Sequence, residues 1–179
     1  MRDTQSSLWC QTPNIEKIIS DSMFLDETTF KAVIASTPLI SIDLVVKNTK
    51  GEYLLGYRNN RPAQGFWFVP GGRILKDETM DDAFIRLCQN ELGVSLTRQQ
   101  ANFIGPFEHF YSDCVFGEDV TTHYLVLGYA LTIDIDLVNL PQEQHNQYAW
   151  FTADDMLRRE DVHRHSKWYV PVNGHSRRE

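Results

Sequence analysis

The clearest hydrophobic pattern in the sequence has the period of an α-helix. Met80, Phe84 and Leu87 are spaced by four and three residues, so they share one helix face. Glu91 falls on the same face, in the last turn before Gly93, which is a typical helix stop. The helix dipole disfavours a negative charge at that end. The pattern leaves open whether Glu91 is buried with a partner or solvated.

Segments rich in apolar and β-branched residues predict the strands. Residues 39–46 (LISIDLVV) indicate a buried strand, and residues 52–57 pair back onto it through a turn at 48–51. Further strands are predicted at residues 66–69, 101–110, 121–133 and 149–151, helices at 26–35 and 152–158, and a polar loop at 140–148. Because the strands follow one another as hairpins, we predict an α+β sandwich.

Asp43 is the one charged residue in the first predicted strand. Two interpretations are open. The carboxylate points outward from an edge strand, or it faces a cleft and binds a polar ligand.

Length and composition indicate one domain. The chain has 179 residues and is 42% hydrophobic, which is enough for one substantial core. We expect an N-terminal extension at residues 1–22, a single domain at 23–170 and a tail at 171–179. The formal net charge of -7 argues against nonspecific binding of nucleic acid or of an anionic membrane, which requires a basic surface.

Cysteine usage and hydropathy bear on the compartment. The three cysteines, Cys10, Cys88 and Cys114, fit neither a disulfide framework nor a zinc site. No segment approaches the roughly 18 apolar residues of a membrane span. We therefore expect a cytoplasmic protein.

The residues around the helix suggest metal and phosphate chemistry. Gly71 and Gly72 offer backbone carbonyls, and Asp77, Glu78 and Glu91 offer carboxylates. Hard oxygen ligands suit Mg²⁺, which substrate phosphates usually complete. Three arginines in or beside the same stretch could neutralise phosphate oxygens: Arg58, Arg73 and Arg86.

The same stretch resembles the Nudix box. The matching positions are Gly72, Glu78, Arg86, Glu91 and Gly93. The resemblance implies an α/β/α sandwich with a mixed sheet, and hydrolysis of nucleoside diphosphates linked to another group with a divalent metal on the box helix. Leu87 and Asn90 stand where the usual box has glutamates, so fewer metal ions are expected and attack of water on phosphorus becomes doubtful.

Further motifs resemble the GDP-mannose mannosyl hydrolases within that superfamily. They are NNRPAQGFWFVPGGR at 59–73, KDET at 76–79, HFY at 109–111, TTHY at 121–124 and EQH at 143–145. This resemblance implies hydrolysis of GDP-mannose, with GDP-glucose as a second substrate, to GDP and free sugar. Water attacks the anomeric carbon with inversion, with one Mg²⁺ per site (Mn²⁺ is the alternative) and a homodimer as the assembly.

The resemblance also assigns roles residue by residue. It implies metal binding by the Gly71 carbonyl, Glu91 and Gln144, and makes His145 the general base. It assigns Arg58, Arg73 and Tyr124 to the departing phosphate, Asp43 to a substrate contact and His109 to the sugar or the diphosphate. Read without the family, His145 is a loop histidine with no role, and Tyr124 and His109 are core residues.

Two expectations rest on position alone. Arg86 should pair with a carboxylate of the box and organise the helix. Three histidines of the charged terminal region are expected to be solvated: His163, His165 and His175.

Three functions compete at this point. The first is hydrolysis of a nucleotide sugar at carbon, favoured by the missing acids at Leu87 and Asn90 and by the Gln144-His145 pair. The second is a pyrophosphohydrolase that releases GMP and sugar 1-phosphate. The third is a catalytically silent module that binds a nucleotide sugar.

Overall fold

The computed structural model describes residues 25–142 and 145–171. In these residues four α-helices and seven strands follow one another along the chain. They are α1 (Glu27–Ser36), β1 (Leu39–Lys47), β2 (Tyr53–Arg58), β3 (Trp67–Phe68), β4 (Gly71–Arg73), α2 (Met80–Leu92), β5 (Asn102–Tyr111), β6 (Thr122–Thr132), β7 (His145–Phe151), α3 (Ala153–Arg158) and α4 (Arg164–Lys167). Within the described ranges, no helix is both long and apolar enough to cross a membrane.

Helix α2 begins and ends where the sequence pattern indicates. The Thr79 side chain accepts a hydrogen bond from the backbone N–H of Asp82, at 3.1 Å, and so caps the first turn. Gly93 adopts a left-handed conformation with φ of 68°, and its N–H donates to carbonyls of the last turn. Of the predicted apolar face, Phe84 and Leu87 are buried, whereas Met80 in the first turn is 39% exposed.

The strands form one mixed sheet around β1. Strand β1 pairs in parallel with β6 along its whole length, from Leu39 opposite Tyr124 to Lys47 opposite Thr132. Its other edge is shared between two antiparallel neighbours, because β2 pairs at its C-terminal end and β4 at residues 41–43. The sheet continues from β2 to β3 and β7, and from β6 to β5.

Helices cover both faces of this sheet, which confirms the predicted α/β/α sandwich. On one face, Ile42 and Leu44 of β1 pack with Phe84 of α2. On the other face, Val45 of β1 packs with Met156 of α3. We call these the helix α2 face and the pocket face.

Three segments of the structure differ from the elements predicted from the sequence. Residues 71–73 form strand β4, which was not among the predicted strands. Strand β7 begins at His145, so the latter part of the predicted loop at 140–148 is strand; pairing with β2 extends it. Helix α4 was not predicted. The expected extension at 1–22 and the tail beyond residue 171 lie outside the described residues.

Candidate functional site

A pocket of about 270 Å³ opens on the pocket face, near the N-terminal half of β1. Six of the predicted site residues line it: Asp43, Arg58, Gly71, Arg73, His109 and Tyr124. These residues come from five different strands, so the sheet brings together side chains that are far apart in sequence. Two other predicted residues, Glu91 and His145, lie on the helix α2 face, and Gln144 lies outside the described residues.

Asp43 is buried in the pocket wall, with 6% of its surface exposed. Strand β1 is flanked on both sides, so the edge-strand interpretation is wrong. The hydroxyl of Tyr169 donates a hydrogen bond of 2.8 Å to Oδ2 of Asp43. Burial raises the pKa of Asp43 to about 7, against the opposing effects of that hydrogen bond and of Arg58.

Two pocket arginines rest on aromatic rings. The Arg73 guanidinium lies 4.0 Å from the ring centroid of Phe30, and that of Arg58 lies 5.7 Å from Phe68. Arg58 also donates from Nε to the carbonyl of Pro62, at 2.9 Å. Among the described residues neither arginine forms a salt bridge, so both guanidinium groups keep N–H donors for an anion.

A stack of histidines closes one side of the pocket. The rings of His109 and His165 are 4.1 Å apart and nearly parallel, and His163 contacts the edge of His165. Burial, followed by the charge of neighbouring groups, lowers the pKa of His109 to about 3 and that of His163 to about 4. The expectation that His163 and His165 are solvated is therefore wrong, and His175 lies outside the described residues.

Tyr124 fits both interpretations that the sequence left open. Its ring packs against the apolar cluster that contains Ile34 and Leu39, and it also lines the pocket. Tyr124 is thus both a core residue and a pocket residue.

The helix α2 face holds a buried polar cluster of Glu91, His145 and Tyr148. Glu91 is 1% exposed, so the solvated alternative is wrong. Its Oε2 lies 3.6 Å from Nδ1 of His145, which is itself fully buried. The His145 ring packs on Gly56, where a Cβ atom would come within 2.5 Å of the ring. A glycine in β2 is therefore what makes room for the histidine.

Hydrogen bonds assign the tautomer of His145. The Tyr148 hydroxyl donates to the carbonyl of Pro141, at 2.8 Å, and lies 3.2 Å from Nδ1 of His145. Because the hydroxyl has one proton, Nδ1 is the donor in the second contact and Nε2 keeps its lone pair. Burial, with the charge of Arg58, lowers the pKa of His145 to about 4, so the ring is neutral at pH 7.

Strands β2 and β4 connect the pocket to this cluster. Arg58 lines the pocket and is the cross-strand partner of His145. Gly71 also lines the pocket, and a Cβ atom on Gly72 would come within 2.7 Å of the Leu87 side chain of α2. The glycine pair therefore brings the backbone of β4 close to the helix that carries Glu91.

The donor set suits a single hard cation. Glu91 is the buried acid of α2, whereas Leu87 packs on β4 and Asn90 is exposed. In the described ranges no three His, Cys, Asp or Glu residues are grouped so that they could hold a metal ion. A carboxylate and a backbone carbonyl are ligand types that a divalent metal such as Mg²⁺ takes together with substrate and water.

Arg86 has the partner that we expected. Its guanidinium binds both carboxylate oxygens of Glu78, at 2.6 and 2.8 Å, and donates to the carbonyl of Arg73, at 2.9 Å. This bridge ties α2 to β4 and leaves the Arg73 side chain free to face the pocket.

Sequence reasoning missed three side chains that hold site residues in place: Phe30, Tyr148 and Tyr169. Tyr148 follows His145 by three residues, so its proximity to the assigned base was a usable signal. Tyr169 lies 126 positions from Asp43, and no local pattern reports that contact.

The family comparison agrees with this geometry. The sequence model of the NUDIX domain matches residues 37–170, which is most of the chain. The chain belongs to the NUDIX family. Hydrolases of this family act on nucleotide-derived substrates and generally use a divalent metal such as Mg²⁺.

One characterised relative of this NUDIX protein comes from an archaeon. The low-salt glycan biosynthesis protein Agl8 of Haloferax volcanii is 41% identical over 128 residues, which are 71% of this chain and 79% of Agl8.

Solved structures share the NUDIX fold. The MutT NUDIX hydrolase of Burkholderia pseudomallei matches with a TM-score of 0.58 and 22% identity, over 74% of this chain and 95% of its own. The NUDIX domain of Shewanella oneidensis NrtR, solved with ADP ribose, matches with a TM-score of 0.54 and 17% identity, over 83% and 90%. These similarities concern the fold.

Proposed function

We propose that this NUDIX protein hydrolyses GDP-mannose to GDP and free mannose by attack of water on the anomeric carbon, with inversion. GDP-glucose is the second candidate substrate. The observation that carries the proposal is the buried cluster on the helix α2 face. There Glu91 meets His145 while Leu87 and Asn90 occupy the neighbouring helix positions.

The residue types suit cleavage at carbon, a reaction that divides into two tasks. A single buried carboxylate on α2 is a poor basis for the several metal ions that would activate water against phosphorus. Cleavage at an anomeric carbon needs a stabilised leaving group and a base for one water molecule. The arginine pocket suits the first need. Nε2 of His145 keeps a lone pair for the second, and because this atom is buried on the helix α2 face, the proposal requires water to reach it when the substrate binds.

In the proposed reaction, Nε2 of His145 takes a proton from water as its oxygen bonds to the anomeric carbon. The bond from that carbon to the β-phosphate oxygen breaks, and its electron pair leaves with GDP. Arg58 and Arg73 stabilise the negative charge on the departing diphosphate, with Tyr124 as a hydrogen-bond donor. Asp43 and His109 contact the sugar. A Mg²⁺ ion held by Gly71, Glu91 and Gln144 would add charge stabilisation of the leaving group.

Two comparisons support the nucleotide-sugar class. The name of the Haloferax relative refers to glycan biosynthesis, and the NUDIX domain of NrtR was solved with ADP ribose, a nucleoside diphosphate joined to a sugar. The pocket of about 270 Å³ also supports a diphosphate next to a hydroxylated group, because Arg58 and Arg73 lie beside Asp43 and neither has a salt-bridge partner among the described residues.

Product analysis tests the proposal. The protein is incubated with GDP-mannose and Mg²⁺ in ¹⁸O-water, and the products are followed by phosphorus NMR. We expect GDP without label and mannose with label, and proton NMR of the first anomer should show inversion. GMP with mannose 1-phosphate would instead establish the pyrophosphohydrolase.

Binding separates the third function from the other two. Tight binding of GDP-mannose with no turnover, at any divalent metal tried, would identify a silent binding module. Substituting Mn²⁺ for Mg²⁺ in the same assay tests the second metal. Sedimentation of the purified protein tests the homodimer that the resemblance implies.

A further inference from the structure

Helix α1 contributes a wall of the pocket although it precedes the NUDIX match. The match begins at residue 37, whereas α1 covers Glu27–Ser36. Phe30 and Ile34 of this helix line the same pocket as Arg58 and Asp43. An element outside the matched domain is therefore part of the candidate site.

The contact that α1 makes with the site is between Phe30 and Arg73. The guanidinium of Arg73 lies 4.0 Å from the Phe30 ring centroid, well within the range of a cation–π interaction. Arg73 forms no salt bridge with any described residue, and its carbonyl already accepts a hydrogen bond from Arg86. Burial lowers the pKa of its guanidinium, which shows how far the charge is removed from water. The ring is thus the group that holds this side chain.

Contacts with the loop between β5 and β6 hold the Phe30 ring in place. The edge of Phe30 packs on Phe116 with centroids 5.7 Å apart and planes at 82°. In the next position along α1, Lys31 forms a 2.5 Å salt bridge with Asp119 of the same loop. Phe30 therefore has a fixed orientation, with one face turned to Arg73.

We propose that Phe30 is a positioning residue, which holds the Arg73 guanidinium toward the diphosphate of the substrate and so makes α1 a functional part of the site. The diphosphate in this statement rests on the proposed function. A ring face attracts a guanidinium without neutralising it, whereas a carboxylate partner would compete with phosphate for the N–H donors. Phe30 thereby orients the charge and leaves it available for an anion.

The test uses substitutions that separate the ring face from its packing. Phe30→Leu removes the π system, Phe30→Tyr retains it, and Phe116→Leu loosens the same helix without touching Arg73. Steady-state kinetics with GDP-mannose and calorimetric binding of GDP, both with Mg²⁺, are measured for each. We expect Phe30→Leu to weaken GDP binding and kcat/KM between about twofold and thirtyfold, which is the range of a cation–π contact. Phe30→Tyr should restore both. Phe116→Leu keeps the ring over Arg73 and removes only its support, so its loss should be clearly smaller than that of Phe30→Leu.

A double-mutant cycle with Arg73→Gln supplies the decisive comparison. In that background Phe30→Leu should have no further effect. The proton NMR signal of Arg73 Hε should also lie upfield in the wild type, because it sits over a ring, and shift downfield in Phe30→Leu.

The failures can be distinguished. If Arg73→Gln itself leaves GDP binding and turnover unchanged, the role of Arg73 in the proposed function is wrong. If Arg73→Gln is impaired but Phe30→Leu behaves like Phe116→Leu, the positioning role of Phe30 is wrong. Should Phe30→Leu not fold, Phe30→Met gives the same comparison with a longer apolar side chain, and thermal melting confirms that each variant is native.

Discussion

Polar side chains have different surroundings on the pocket face and on the helix α2 face of the sheet. On the pocket face, arginine charges rest on aromatic rings and remain open to an incoming anion. On the helix α2 face, Glu91 and His145 are enclosed and restrained by Tyr148. The first arrangement suits binding of a charged group, and the second suits one proton transfer in a defined direction. The difference suggests that binding and proton chemistry can be disabled separately.

We expect His145→Gln to separate turnover from GDP binding more than any other substitution. Loss of the lone pair on Nε2 should lower turnover of GDP-mannose on the order of 10²-fold or more, while GDP still binds. Steady-state kinetics measures the turnover number and calorimetry measures the affinity for GDP, both on the same preparation. His123→Gln is the matched control, because His123 stacks on Phe110 and does not line the pocket. Near-normal turnover of His145→Gln would remove it from the mechanism.

Glu91→Gln should act on the same face through the metal. The amide keeps the shape but loses the charge, so we expect activity to fall on the order of tenfold or more and to require more Mg²⁺ for half-saturation. Asp82→Asn, at an exposed acid on the same helix, should leave the Mg²⁺ titration unchanged. An unaltered titration for Glu91→Gln would contradict its role as a ligand.

Asp43→Asn should weaken sugar recognition on the pocket face by a smaller amount. The asparagine can still accept from Tyr169, so folding is retained and only the carboxylate is lost. We expect kcat/KM for GDP-mannose to fall roughly tenfold, as for loss of a charged hydrogen bond, with GDP affinity unchanged. Equal losses of GDP and GDP-mannose affinity would instead place Asp43 at the diphosphate.

The smallest effect on activity, and a clear effect on stability, is expected from His165, a member of the histidine stack that does not line the pocket. Burial holds the pKa values of His109, His163 and His165 below the unfolded value of about 6.5. The unfolded chain therefore binds more protons, and stability is lost as pH falls from about 6.5 toward the folded pKa values. Nearby Arg164 and Lys167 also oppose protonation of the stack.

Urea unfolding at pH 7, 6 and 5 measures this slope. The His165→Gln variant lacks one histidine with a lowered pKa. Its free energy of unfolding should therefore fall less steeply with decreasing pH, and its slope should be smaller than that of the wild type by about 1.4 kcal/mol per pH unit. Identical slopes in wild type and variant would show that folding does not lower the pKa of His165.

Local patterns predicted the elements whose ends and faces are set by neighbouring residues. Helix α2 has the helical spacing and the Gly93 stop that its sequence indicates, because each depends on contacts within about four residues. Strand β4 was missed because a glycine pair has no strand preference of its own, and only its pairing with residues 41–43 extends it. The latter part of the loop predicted at 140–148 is strand for the same reason, since β7 is extended by pairing with β2.

What the sequence by itself determined is the set of chemical groups: the box helix with one inward acid, the arginines, the glycine pair and the family that these identify. The tertiary structure alone decided their surroundings. It buried Glu91 against His145, enclosed His165 that looked solvated, and brought Phe30 to Arg73 and Tyr169 to Asp43. Side-chain type is encoded at one position, whereas burial and partners depend on chain segments that meet only when the sheet closes.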